Sequence, residues 1–531
     1  VQLSDLRLTA AIAAGKAAGL ASRALHVGGG TTLPGVVARR IAPDALRRLS
    51  AALPQGIALV GGTNGKTTTT RMLAAILADD GRGVLHNRAG ANLVTGLTAT
   101  ALAGSTLVGR VRADIGLFET DEAALPRALE ETRPRLVLLH NLFRDQLDRY
   151  GEVDTVAVGW RAALERLPAD ATVLLNADDP AVAALGDGLA ARVRYYGLED
   201  TRHAAGAATH IADSQFCRRC GAPYRYDAIF YTHIGHYACD RCGHHRPTPD
   251  FRLERLRLEG TTGARLYLSF PIERGGHGER GGHGGTALQM PMQMYGGSSV
   301  SALVSAPASA SAPPPDPRGY VEIRLPLPGL YNALNALAAT AAALMLGVGP
   351  ARARSTLERF NAAFGRIERI DAGGRQLLLA LIKNPVGASE TVRMLIGDQE
   401  SGVRGQEVAL PTPDPRSPTS DLHLLVAIND KYADGTDVSW LWDADFERLA
   451  GWVAGAVVSG TRAADMAVRL KYAGVEPERI AVEPGLARAL DAALARLPEG
   501  ATLYALPTYT AMLELRAELA RRGWVRPFWE D

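Results

Sequence analysis

Ile57-Ala-Leu-Val60-Gly-Gly62-Thr63-Asn64-Gly65-Lys66-Thr67-Thr68 is the stretch that decides how this chain folds. The apolar run 57–60 predicts a short buried strand, the glycines a tight turn, and the threonine-rich segment a helix over 67–79. A strand running into a glycine turn and then a helix is the setting of a phosphate loop. Backbone N–H groups of the turn and helix N-terminus surround phosphate oxygens, Lys66 reaches the β- and γ-phosphates, and Thr67 offers its hydroxyl to Mg²⁺. The GxxGK[ST] spacing is one or two residues tighter than the commoner phosphate loop, and a plain glycine turn is the alternative reading.

Outward from this stretch, apolar runs at 83–86, 115–118, 136–140 and 172–175 predict further strands with helices between them. That alternation means an α/β domain with a parallel-rich sheet. Residues 1–48 read as a short helical segment, broken at Gly28-Gly29-Gly30 and with Pro34 near the start of its second helix. A helix is expected over 331–345. From 377 onward, strands at 377–382, 423–428, 454–458 and 503–506 alternate with helices again, forming a second, Rossmann-like α/β unit. Gly and Pro at 347–351 place the boundary there, dividing the chain into 1–48, 49–348 and 349–531. Two irregular stretches interrupt these units. Residues 275–318 hold GGHGERGGHGG and SAPASASAPPPDP, and 398–421 share the Pro/Ser/Gly character. Neither composition buries enough apolar surface to offset chain entropy, so flexible insertions are expected.

Glu119, Asp121 and Glu122 come directly after the run 115–118. A carboxylate at the C-terminal edge of a strand suits Mg²⁺ on a bound nucleotide, whereas acidic residues opening a helix are the plain reading. Asn141-Leu-Phe-Arg-Asp145-Gln-Leu-Asp148-Arg-Tyr-Gly151 and Asn176-Ala-Asp178-Asp179-Pro180 follow two other strands and gather polar groups at the same sheet edge, where open α/β sheets bind ligands. Singly, each would pass as a turn or cap.

The four cysteines of the 531-residue chain fall in two knuckles, Cys217-Arg-Arg-Cys220 and Cys239-Asp-Arg-Cys242. This spacing points four thiolates at one tetrahedral ion, so a Zn²⁺ ribbon inserted over 212–247 is expected, with buried or disulfide-bonded cysteines as the alternative. A closed four-sulfur site leaves no position for water, and its metal would be structural.

Lysine and arginine number 58 against 56 acidic residues, so no global field recruits nucleic acid or an anionic membrane. The longest apolar stretch, 336–348, is too short to span a bilayer, and the N-terminus lacks a secretory pattern; a cytoplasmic location is expected.

GTNGKTTTT, NxxxDxLDRYG, LNADDP, the helix Gly329-Leu-Tyr-Asn332-Ala-Leu-Asn335-Ala and Phe364-Gly-Arg366-Ile-Glu368 together resemble the Mur ligases and folylpolyglutamate synthases, across residues 57–385. These ATP-dependent ligases activate a carboxylate as an acyl phosphate. The cysteine ribbon, Asn87-Arg-Ala-Gly-Ala-Asn92, Lys383-Asn384-Pro385 and Asn429-Asp430-Lys-Tyr-Ala-Asp434-Gly435-Thr-Asp437-Val-Ser-Trp440 narrow the resemblance to the branch that serves as ligase subunit of a lipid II isoglutaminyl synthase.

The resemblance implies a Mur-ligase-like central ATPase domain whose ATP site is Gly62, Thr63, Asn64, Gly65, Lys66, Thr67, Thr68, Asn335 and Arg366. It implies Mg²⁺ on Thr67 and Glu119, with Lys66 and Glu119 catalytic. It also implies a GatD-like glutaminase subunit as heterodimeric partner, with Asp437 completing that subunit's Cys-His-Asp arrangement, and lipid II as substrate at the inner membrane face. Residues near Asp437 do not single it out, since Asp434 and Asp443 would serve equally as turn or cap residues.

Three departures narrow the expectation. About 48 residues cannot form the UDP-binding N-terminal domain of ordinary Mur ligases. Asp145-Gln146-Leu147-Asp148-Arg149-Tyr150 replaces a segment that often ends in a metal-binding histidine, and the position often held by a carbamylated lysine falls near Trp160 and Arg161. One Mg²⁺ is therefore expected. The competing readings are a stand-alone amino-acid ligase and a zinc-ribbon nucleic-acid-binding ATPase. For the latter, Arg218, Arg219, Arg241 and Arg246 speak in favour, and Asp213, Asp227, Asp240 and the neutral net charge against.

Overall fold

Residue alternation along one strand sets up the two faces of the first domain. In a computed structural model, which describes all residues except 1–2, 25–31, 88–90, 144–151, 205–213, 273–317, 361–367, 404–421 and 526–531, the strand Ile57–Gly61 (β1) is buried at every position. Ala58 and Val60 pack on Met72, Leu73 and Ile76 of the helix Lys66–Asp79 and on the Ala-rich helix Leu330–Met345. Ile57 and Leu59 face the opposite core, with Leu46, Leu49 and Phe118. Burial on both faces is what a central strand of a parallel sheet requires. Truncating Leu59 to alanine there is expected to cost about 2–5 kcal/mol.

The strands that follow are β2 (Val84–His86), β3 (Ile115–Glu119), β4 (Leu136–Leu139), β5 (Thr172–Asn176), β6 (Arg192–Leu198), β7 (Arg225–Tyr231), β8 (Ile234–Ala238), β9 (Phe251–Leu258), β10 (Ala264–Pro271) and β11 (Arg318–Leu325). All except β7 and β8 join β1 in a nine-stranded sheet ordered β11-β10-β9-β6-β5-β4-β1-β3-β2. Pairing is parallel from β2 to β9, while β10 and β11 are antiparallel. The sequence reading did not foresee β6, β9, β10 and β11. In β9, Phe-Arg-Leu-Glu-Arg-Leu-Arg-Leu, buried apolar residues are interleaved with charged, partly exposed ones, so no continuous apolar run marks the strand. Residue 318, expected at the end of a loop, opens β11; the remainder of the 275–318 insertion lies almost wholly outside the described residues.

Helices Leu3–Ala24, Leu33–Ile41 and Ala45–Ala51 cover the second face of this sheet, burying Ile12, Ala38, Leu46 and Leu49. Gly35 permits the close approach of the helix Val94–Ala103, since a Cβ there would lie 1.8 Å from the Thr95 carbonyl oxygen.

A second sheet holds β12 (Glu368–Asp371), β13 (Gln376–Leu379), β14 (Leu422–Ala427), β15 (Val453–Ser459), β16 (Ile480–Val482) and β17 (Thr502–Pro507), ordered β12-β13-β17-β14-β15-β16. Only β12 runs antiparallel to its neighbour. Helix Pro350–Glu358 belongs to the first core through Ala353 and Leu357, so this second sheet begins only at Glu368. The first part of the irregular stretch expected over 398–421 is helical, within the helix Pro385–Val403, and 404–421 lie outside the described residues. Among the described residues no helix is long and apolar enough to cross a membrane.

Candidate active site and metal centre

The turn after β1 is wedged between the end of β4 and the helix Leu330–Met345. Gly62 and Gly65 have φ of +132° and +90°; a Cβ on Gly62 would lie 2.8 Å from His140 Cβ, and one on Gly65 2.3 Å from Asn335 Oδ1. Only glycine tolerates both the backbone conformation and the contact. Asn141 stitches the turn from below: its Oδ1 accepts from Asn64 N at 2.8 Å, its Nδ2 donates to Asn64 O at 3.2 Å, and its carbonyl accepts from Thr63 N at 2.9 Å. Asn335 Nδ2 is buried and has no hydrogen-bond acceptor among the described residues, an unmet donor beside the loop. Thr68 is buried in the first helical turn.

Lys66 is buried and folds back over the turn, with Nζ 3.2 Å from Thr63 O and 3.2 Å from Glu122 Oε1. Burial raises the Glu122 carboxyl above the usual carboxylate range, partly offset by the Lys66 ammonium. Thr67 Oγ1 donates to Glu119 Oε1 at 2.9 Å, bringing together the hydroxyl and the carboxylate singled out for Mg²⁺. The Glu119 backbone is fixed on both sides by Asn87, whose Oδ1 accepts from Glu119 N and whose Nδ2 donates to Glu119 O, each at 2.9 Å. Asp121 instead caps the following turn through Ala123 N. The loop carrying these acids rests on Trp160, a fully buried indole whose Nε1 donates to Glu122 O at 2.8 Å. The position where a carbamylated lysine was sought thus holds a packing residue. Arg366, Asp145 and Asp148 lie outside the described residues.

The second domain closes over the loop. Asn384 Nδ2 donates to Asn64 Oδ1 at 3.1 Å, and a cleft between the domains is lined by Gly65, His140, Asn335, Tyr231, Lys383 and Glu390, among others. Asp437 is not in this lining. Both of its carboxylate oxygens accept from Ser439, from N and from Oγ at 2.8 Å each, which lowers its pKa. Asp434 accepts from Thr510 N at 2.7 Å and Thr510 Oγ1 at 2.5 Å. Sequence reasoning singled out neither Tyr231 nor Glu390, because nothing local distinguishes a hairpin tyrosine or a helical glutamate until two domains are brought face to face.

Cys217, Cys220, Cys239 and Cys242 converge, with all four sulfurs within 4.8 Å of one another. Each knuckle ends in a glycine of positive φ, Gly221 at +71° and Gly243 at +72°, whose N–H donates to the carbonyl of the first cysteine of its own knuckle. Burial raises the Cys217 thiol, but the N–H groups of Arg219 and Cys220, with the Cys242 and Cys239 thiols, bring it down to about 6. At Cys242 the His244 N–H is outweighed by the other three thiols, which push that thiol up, so the four share their protons and Cys217 gives one up first. The set suits a tetrahedral ion. The β7–β8 hairpin runs inward from the knuckles to the cleft. His233 in its turn is fully buried, 3.3 Å from Asp179, and Gly235 N donates to Asp178 O. Arg246 pairs with Asp178 and Glu199, Arg218 with Asp154 and Arg219 with Asp187. Three of the four arginines named for a nucleic-acid surface thus have carboxylate partners within the protein, and Arg246 is largely buried with its own, which weighs against that surface.

The Mur ligase middle domain family matches residues 60–229, and the MurT ligase C-terminal family matches 381–512. The chain is 33% identical over 96% of its length to the lipid II isoglutaminyl synthase (glutamine-hydrolyzing) subunit MurT of Streptococcus pneumoniae, covering 97% of that protein. It is 29% identical to the corresponding Staphylococcus aureus protein over 97% of this chain and 98% of the other. Among solved structures, a pseudomurein peptide ligase type C from Methanothermus fervidus aligns with a TM-score of 0.58 at 18% identity, covering 90% of this chain and 81% of that one. Mycobacterium tuberculosis folylpolyglutamate synthase aligns at 0.51 and 16%, covering 91% and 96%. These two likenesses concern the fold.

Proposed function

The chain belongs to the Mur ligase family, in its MurT branch, and from that premise we propose that it is the ligase subunit that amidates lipid II at the expense of ATP. The nitrogen comes from a separate glutaminase subunit. The observation that carries this reading is the near full-length similarity to MurT subunits combined with a phosphate loop facing a two-domain cleft.

In this reading the α-carboxylate of the stem-peptide D-glutamate attacks the γ-phosphorus of ATP, giving an acyl phosphate and ADP. Ammonia then attacks the acyl carbon and phosphate leaves. Gly62–Thr68, with Asn335 and Arg366, hold the nucleotide. Lys66 offsets charge on the transferred phosphoryl oxygens. Thr67 and Glu119 are the residues that would hold Mg²⁺, which supplies further neutralisation of phosphate charge when bound. The four cysteines would hold Zn²⁺ as a structural ion. The described residues hold cysteine only in the knuckles, as does the whole sequence, so the chain has no spare thiol nucleophile for glutamine hydrolysis. A partner that delivers ammonia directly fits this, because free ammonia is mostly ammonium at neutral pH. Asp437 lies on the C-terminal domain, outside the cleft, where a docked glutaminase would meet it. The location that follows is the cytoplasm, at the face of the membrane that holds lipid II.

The test is mass-spectrometric detection of amidated lipid II by the two-subunit complex with ATP, Mg²⁺ and glutamine, run beside Asp437→Asn with glutamine or with ammonium chloride. Amide formation that is lost in the variant with glutamine and kept with ammonium supports the reading. ATP hydrolysis without amide from either nitrogen source overturns it in favour of an amino-acid ligase.

A further inference from the structure

Glu390 is a carboxylate for which the reading above has no use. It sits on the helix Pro385–Val403, is 4% exposed, and lines the cleft that also contains Asn64 and Gly65 of the phosphate loop. Arg393 Nη1 lies 2.8 Å from Glu390 Oε1 and donates to Phe230 O at 2.9 Å. No hydrogen bond reaches Oε1 among the described residues, so the arginine approaches out of line and the oxygen keeps capacity for a donor. An isolated buried carboxylate is costly, and a purely structural one would be expected to fill its hydrogen bonds.

The supporting helix also links the two places between which nitrogen must pass. Ser389, adjacent in sequence, accepts at Oγ from Asp445 N at 3.0 Å, in the segment that follows Asp437. Three residues after Glu390, Arg393 touches the ribbon hairpin. One turn of helix thus spans from Asp445, eight residues beyond Asp437, to the cleft wall.

We propose that Glu390 forms the ammonia site of this cleft: it receives the nitrogen as a hydrogen-bond donor and accepts its proton during attack on the acyl phosphate. The inference rests on the ligase reading above. In the step, the nitrogen lone pair forms the C–N bond and the C–O bond to phosphate breaks. Phosphate leaves with that electron pair, and one N–H proton passes to a Glu390 carboxylate oxygen. Burial raises the Glu390 carboxyl above the usual carboxylate range while Arg393 and Arg448 oppose it, the direction that makes the carboxylate a stronger proton acceptor. The other titratable groups of this cleft are Lys383, Tyr231, Tyr331, His140 and Tyr196.

The experiment uses the complete two-subunit complex with Glu390→Gln and Glu390→Asp, lipid II, and ammonium chloride as nitrogen source. Two readouts separate the steps: oxygen-isotope scrambling in ATP without a nitrogen source, which reports acyl phosphate formation, and amide formation across pH 6–9. The expected result for Glu390→Gln is scrambling within about 2-fold of the unaltered complex and amidation reduced by about 10²–10⁴-fold, the range of a lost general base. Its residual rate should rise with pH, and Glu390→Asp should recover part of the activity. Equal loss of scrambling and amidation in both variants would show a structural carboxylate and overturn the proposal, as would unchanged amidation. Absence of both scrambling and amidation in the unaltered complex would instead sink the ligase reading.

Discussion

Thr67 Oγ1 and Glu119 Oε1 lie 2.9 Å apart, joining the first turn of the helix after β1 to the last residue of β3. The pair is 52 positions apart in sequence and is brought together because β1 and β3 are parallel neighbours, Val60 opposite Glu119. A Mg²⁺ ion placed between these oxygens would sit at the strand ends, where the nucleotide phosphates are expected.

Glu119→Gln keeps the shape and the hydrogen bond but removes the charge. ADP formation by the complex should fall by about 10²–10³-fold, the scale of losing one charge-stabilising group. The melting temperature should move little. A parallel collapse of folding and activity would show that the carboxylate serves packing instead.

Gly65→Ala places a methyl group 2.3 Å from Asn335 Oδ1 at a φ of +90°. The loop must shift, and stability should drop by about 1–3 kcal/mol. Nucleotide affinity, measured by calorimetry, should fall more than this loss of stability explains if the displaced turn is the phosphate cradle proposed above.

Metal removal should act on the ribbon first. A chelator that strips the ion, with metal content followed by atomic absorption, should lower the melting temperature at concentrations that leave ADP affinity unchanged. Cys220→Ser should reproduce the shift, and an unchanged melting curve after full removal would refute a structural role.

Asp200 provides a check on pH dependence. Its hydrogen bonds from Arg202, with those from the N–H groups of Leu256 and Arg202, outweigh burial and lower its pKa from 3.8 to about 2. A depressed folded-state pKa adds stability that is fully present above the unfolded value and is lost as pH falls from 3.8 toward about 2. Asp200→Asn should therefore melt below the unaltered protein at pH 7, with the gap narrowing below pH 3.8 and gone only once the pH falls below about 2.

Legibility from the sequence followed physical range. Local punctuation was enough for β1, its turn and its helix, because a strand, two positive-φ glycines and a helix start lie within a dozen residues. The cysteine knuckles were legible for the same reason, each setting two thiolates and a glycine turn in five consecutive residues. Glu119 was found at a strand end, although the local sequence left its role even with that of a helix cap. The antiparallel edge β9-β10-β11 was hidden by its alternating charges, and Glu390 by distance: its place in the cleft depends on the second domain meeting the loop, where Asn384 reaches Asn64 across 320 positions. Trp160, a departure from a position often held by lysine, packs beneath the acidic loop, as its indole bond to Glu122 shows.

The route of the chain between β6 and β9 has one more implication. These strands are parallel neighbours, with Tyr196 opposite Phe251, so the intervening chain must travel back along the sheet before β9 can begin. Such a return is usually made by a helix, which assembles from its own sequence. Here the return path contains the cysteine knuckles and the β7–β8 hairpin. The far edge of the sheet, β9 through β11, is therefore tethered to a connector built around the four converging cysteines, whose order would depend on the ion they are proposed to hold. Newly made chains deprived of that ion would have their first six strands in place and the last three waiting, with an open sheet edge exposed to other chains. If the four cysteines hold an ion, metal supply during synthesis would govern solubility as well as the stability of the finished protein.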